Sequence, residues 1–119
     1  MGSAQVIACG PRANDHASLE VKVPSALPLE MRSGIREIIK VETDPEHRGK
    51  GHAKALLERV CIAADLSDTW LFIHVEPGDD ETTMQGLVKL YTRFGFVLFQ
   101  ASPMLMIRRS GVAGAARWN

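Results

Sequence analysis

Apolar and polar positions alternate between Leu19 and Val23, where Leu19, Val21 and Val23 are separated by Glu20 and Lys22. That period of two predicts a strand with one wet face. A short strand is also expected over Gln5 to Ala8, ended by Gly10-Pro11, with a turn at Asn14-Asp15. Pro24 and Pro28 bracket an irregular stretch, and Gly34 introduces an extended run from Ile35 to Thr43. Asp44-Pro45 stops this run, because proline has no N–H for a ladder. From Gly51 to about Ala64 the period becomes helical: Ala53, Leu56, Leu57, Val60, Cys61 and Ala64 share one face. Trp70 to Val75 is again a strand, with Leu71, Ile73 and Val75 on one side and Trp70, Phe72 and His74 on the other. After the loop Pro77-Gly78-Asp79-Asp80, where either aspartate suits a helix cap, Met84, Leu87, Val88 and Tyr91 line a second helix. Gly95 fits the left-handed position that closes it. Phe96 to Gln100 and Met104 to Arg108 then form a hairpin around Ala101-Ser102-Pro103. The order predicts an α/β or α+β domain on a mixed sheet.

Composition narrows the choices. The chain has 119 residues, 45% apolar and 24% charged, which suits one domain with a core. We expect that domain over residues 1–109 and a loosely held, Gly- and Ala-rich tail over 110–119. Lys plus Arg and Asp plus Glu both number 14, so overall charge does not favour nucleic acid or an anionic membrane. A nucleic-acid surface built on Lys50, Arg59 and Arg93 is disfavoured for the same reason. Cys9 and Cys61 read as reduced, buried small side chains rather than a disulfide framework. No apolar run approaches a membrane span and the start lacks the regions of a signal peptide, so a cytoplasmic protein is expected.

The candidate chemistry lies where the Ile35–Thr43 strand meets the first helix, at Arg48-Gly49-Lys50-Gly51-His52-Ala53. Two glycines leave the backbone N–H groups open to a ligand, and the helix start adds unpaired N–H groups and partial positive charge. With Arg48 and Lys50 beside it, the turn suits a phosphate or diphosphate. It matches neither the Gly-x-x-x-x-Gly-Lys-Ser/Thr loop of nucleoside triphosphatases nor a dinucleotide fingerprint, whose third glycine falls on Lys54. His47 and His52 flank the glycines, but no third ligand is evident in the sequence, so no metal is expected.

Arg48, Gly51 and Ala53 fit the pattern Arg/Gln-x-x-Gly-x-Gly/Ala, and Leu90-Tyr91-Thr92-Arg93-Phe94-Gly95-Phe96 fits Leu-Tyr-x-x-x-Gly-Phe. In both signatures, in this order with one strand between them, the chain resembles the GNAT superfamily of N-acetyltransferases over about residues 35–108. The resemblance implies a mixed, mainly antiparallel sheet flanked by helices, with Ile35–Thr43 splayed from Trp70–Val75. It implies that Arg48, Gly49, Lys50, Gly51, His52 and Ala53 hold the diphosphate of acetyl-CoA. The backbone of Val41, Glu42 and Thr43 would pair with the pantetheine arm and face the thioester oxygen. Tyr91 is implied as the general acid near the coenzyme sulfur.

Glu37 is the candidate base. In a strand without a bulge it shares a face with Ile35, Ile39 and Val41, and some relatives place a glutamate there. Glu42, His74 and Glu76 are its rivals, as is a water chain. The acceptor implied is an amine, on a small molecule or on a protein lysine or N-terminus. The alternative is a non-catalytic module that binds acyl-CoA.

Three departures from the family pattern stand out: Met84 replaces a frequent asparagine, the loop from Glu76 to Thr83 is long and acidic, and only 34 residues precede Ile35. The last leaves little room for the two helices common on the acceptor side. An open acceptor pocket, or one completed in a homodimer, is therefore expected.

Overall fold

The computed structural model describes residues 6–24, 34–76 and 84–111. Its elements in chain order are β1 (Gly10–Ala13), β2 (Ala17–Lys22), β3 (Ile35–Thr43), a 3-10 turn at Pro45–His47, α1 (His52–Leu66), β4 (Trp70–His74), α2 (Met84–Arg93), β5 (Val97–Ala101) and β6 (Met104–Arg108). The strands form one six-stranded sheet in the order β1-β2-β3-β4-β6-β5. Only β3 and β4 pair in parallel, across the α1 connection; the other neighbours are antiparallel. The fold is therefore mixed α+β, as the resemblance implied.

The register explains where the core lies. Val21, Ile38, Ile73 and Met106 stand opposite one another across four strands and are all buried. Apolar faces of both helices pack into the same cluster: Leu56, Leu57, Val60, Cys61 and Ala64 from α1, and Tyr91 from α2. The next row, Lys22, Glu37, Phe72 and Ile107, points to the opposite face. There Phe72 meets Phe99 edge-on at 5.2 Å between ring centroids. β5 is an edge strand whose Val97, Leu98 and Phe99 are exposed.

Periodicity placed β3, α1, β4, α2 and the closing hairpin within a residue or two of their observed bounds. Gly95 takes φ +97°, as its place after α2 requires. The Asn14-Asp15 turn is also present: Asn14 Oδ1 accepts from the N–H groups of His16 (3.1 Å) and Ala17 (2.8 Å).

Two expectations fail. No strand forms over residues 6–8; β1 instead contains the Gly10-Pro11 pair that was read as a stop. β1 is the outer strand of the sheet, where a missing N–H is tolerated. Cys9 is exposed rather than buried, whereas Cys61 is buried and its thiol pushed up to about 12 by desolvation. The expected cap at Asp79 or Asp80 and the tail beyond Gly111 lie outside the described residues. No helix among the described residues is long and apolar enough to cross a membrane.

Candidate active site

The turn from β3 into α1 is built to leave backbone donors open. Asp44 and the 3-10 turn redirect the chain, and His47 N–H donates to the Asp44 carbonyl at 2.9 Å. Gly49 and Gly51 then take φ +80° and +84°, left-handed values that cost other residues about 1–2 kcal/mol. Gly51 is the N-cap of α1 and has no side-chain cap. The helical ladder begins with Ala55 N–H donating to the Gly51 carbonyl at 2.9 Å. The N–H groups of His52, Ala53 and Lys54 thus precede the ladder. No acidic residue occupies the first turn to oppose an anion. A Cβ built at either glycine would have nothing within 4 Å, so the space over the turn is open. Open backbone donors and partial positive charge at a helix start are features that suit an anion.

β3 supplies the second part of the site. Its parallel pairing with β4 runs from Ile35 opposite Trp70 to Ile38 opposite Ile73 and then stops. Beyond that point the two strands splay. Against β2, Ser18 faces Glu42 and Glu20 faces Ile39, so Lys40 and Val41 together oppose Leu19. Lys40 has φ 56°, which identifies a β-bulge. Pairing with β4 ends just before the bulge, and the bulge reverses the facing of every residue beyond it. Glu37 and Val41 therefore do not share a face, contrary to the expectation for an unbulged strand.

A cleft of about 1210 Å³ opens at the splay. Its walls include Val41, Glu42 and Thr43 of β3, Arg48, Gly49 and Gly51 of the turn, His52 and Ala53 of α1, and Leu87 and Tyr91 of α2. The fold thus brings the predicted site residues Val41, Glu42, Thr43, Arg48, Gly49, Gly51, His52, Ala53 and Tyr91 around one space. Lys50 and Glu37 are not among the described residues lining it, whereas Glu42, His74 and Glu76 are. His74 Nε2 lies 3.7 Å from Glu76 Oε2. Tyr91 is 4% exposed, and burial pushes its phenol up to about 12. Its ring packs at a tilt on Phe96, 5.9 Å between centroids.

The model of the acetyltransferase (GNAT) domain matches residues 12–98. The chain belongs to the GNAT acetyltransferase family. Solved structures share its fold. Anti-CRISPR protein AcrVA5 superposes with a TM-score of 0.65 at 14% identity, covering 85% of this chain and 98% of that one. The GNAT family N-acetyltransferase YhbS of Escherichia coli, solved in complex with CoA, gives 0.53 at 16% identity over 82% of this chain and 55% of that one. An N-acetyltransferase from Staphylococcus aureus Mu50 gives 0.60 at 17%, over 79% and 60%. The GNAT chain described here spans just over half the length of the latter two. No curated protein matches it by sequence.

One feature of this GNAT domain was not legible in its sequence. The β1–β2 turn reaches the glycine turn: Asn14 Nδ2 donates to the His52 carbonyl at 2.9 Å, and Asp44 N–H donates to the His16 carbonyl at 2.8 Å. His16 thereby joins His47 and His52, supplying the third imidazole that the sequence did not reveal. Desolvation, and then the neighbouring His16, lower the pKa of His47. The only sequence signal was an Asn-Asp turn followed by a histidine, and its contacts lie 38 positions away.

Proposed function

We propose that this GNAT domain binds acetyl-CoA at the glycine turn and transfers its acetyl group directly to an amine. The amine belongs to a small molecule or to a protein lysine or N-terminus. The observation that carries the reading is a single cleft joining an uncapped helix start, a splayed and bulged strand, and a buried tyrosine. Arg48, Gly49, Lys50, Gly51, His52 and Ala53 serve the diphosphate, and the backbone of Val41, Glu42 and Thr43 serves the pantetheine arm and thioester. Acetyl-CoA supplies an activated acyl group with a thiolate leaving group. Tyr91 supplies a phenol that stays protonated because its pKa is raised to about 12.

Tyr91→Phe keeps the aromatic ring in the core and removes only the donor. Its kcat for acetyl transfer is expected to fall about 100-fold, with little change in KM for acetyl-CoA. Since protonated Tyr91 is the working form, activity lost through its ionisation disappears only as pH rises toward about 12. A basic limb at neutral pH therefore belongs to another group. An unchanged kcat in Tyr91→Phe removes the phenol from the mechanism.

For the base, cleft lining supports His74, held near Glu76, over Glu37, which is not among the described residues lining the cleft. His74→Ala is expected to lower kcat at least about 10-fold, and Glu37→Gln to stay within about twofold of the parent. The reverse pattern in steady-state assays restores Glu37 as base.

One observation favours the second reading, a non-catalytic acyl-CoA-binding module. Among the described residues before β3 the only elements are strands, so none of those residues supplies a helical wall for an acceptor. The same assays separate the readings, because both require coenzyme binding and only one produces turnover.

A further inference from the structure

We propose that His16, His47 and His52 form a binding site for one divalent transition-metal ion, of the zinc or cobalt class, at the rim of the cleft. One ligating nitrogen from each imidazole lies within 4.8 Å of the others. The rings of His16 and His47 stack with centroids 3.6 Å apart, and His52 stands 4.5 Å from His16 and 5.9 Å from His47. A tetrahedral zinc ion with nitrogen at about 2.0–2.1 Å needs ligand atoms about 3.4 Å apart. The widest separation must close by up to about 1.4 Å, which requires the stacked rings of His16 and His47 to turn.

The backbones that carry these rings are already tied together. Asn14 joins the β1–β2 turn to His52, the His16 carbonyl accepts from Asp44, and Asp44 accepts from His47 N–H. Each bond uses main-chain groups of the histidines and leaves their imidazoles available. Asp44 Oδ2 also lies 3.7 Å from His16 Nδ1. A carboxylate beside one ring nitrogen orients the other toward a metal. Three imidazoles select a transition ion over magnesium or calcium, which favour oxygen. His16 and His52 also line the cleft, which places the cluster at its rim. The site stands on this cluster, and metal uptake is read without acetyl-CoA present.

The test uses the tag-free full chain, stripped with chelator and titrated with cobalt(II) alone. The expected result is one equivalent bound, visible absorption of low-coordinate cobalt, and loss of that absorption when zinc(II) is added. His16→Ala, His47→Ala and His52→Ala are each expected to weaken cobalt binding at least about 100-fold. Substitution of His74, the remaining one of four histidines, leaves it intact. Circular dichroism confirms that each variant is folded, and a glutamine substitution replaces any alanine variant that is not. Absence of stoichiometric uptake by the folded parent, or equal uptake by the His16 and His74 variants, overturns the proposal.

Discussion

Asp65→Ala is expected to lower the free energy of unfolding by about 3–5 kcal/mol. Arg108 on β6 is 0% exposed, and its guanidinium grips Asp65 of α1 through two parallel hydrogen bonds of 2.9 Å. Its Nε donates to the Phe94 carbonyl just beyond α2. One side chain thus ties the sheet to the end of both helices. Asp65 also accepts from Gly111 N–H at 2.6 Å. Removing the carboxylate leaves a buried cation without its counter-charge, which costs far more than the intact pair contributes. Small domains have only about 5–15 kcal/mol in all, so the variant should melt well below the parent. Urea denaturation with far-UV dichroism measures the change. A double variant, Asp65→Leu with Arg108→Met, should recover much of the loss because no unpaired charge remains. A loss below about 1 kcal/mol in Asp65→Ala would mean that solvent reaches the guanidinium.

Gly51→Val should weaken coenzyme binding at least about 100-fold while leaving a folded domain. At φ +84° and ψ 12°, a β-branched residue is strained, and the relaxed turn no longer aims the first N–H groups of α1 at one point. Nothing lies within 4 Å of the added Cβ, so the stability cost is conformational, about 1–2 kcal/mol. The binding cost is larger, because the side chain enters the space the diphosphate would occupy; at least about a 100-fold rise in Kd is expected, or about 2.7 kcal/mol. Gly51→Ala should show a smaller loss of the same kind. Calorimetric titration with CoA, paired with a thermal melt of each variant, separates binding from folding. Parent-like affinity in folded Gly51→Val contradicts the assignment of the turn.

The parts of this fold governed by local pattern were legible. Leu56, Leu57, Val60, Cys61 and Ala64 had to share a helical face, and Leu71 and Ile73 had to share a strand face, because period alone decides both. The glycine turn was legible because left-handed backbone has a compositional mark. The bulge was not: Lys40 adopts φ 56° because of how β2 and β3 register, and lysine gives no sign of it. That hidden residue undid the shared face of Glu37 and Val41. Arg108 and His16 were missed for a related reason. An arginine ending a strand and a histidine after a turn look like surface residues until Asp65, 43 positions away, or His52 arrives beside them.

Isothermal titration of the parent chain with CoA tests most directly whether the glycine turn holds the diphosphate of acetyl-CoA. Saturable one-to-one uptake that weakens at least about 100-fold in Gly51→Val is the predicted result. Absence of uptake by a parent chain that melts cooperatively would contradict it.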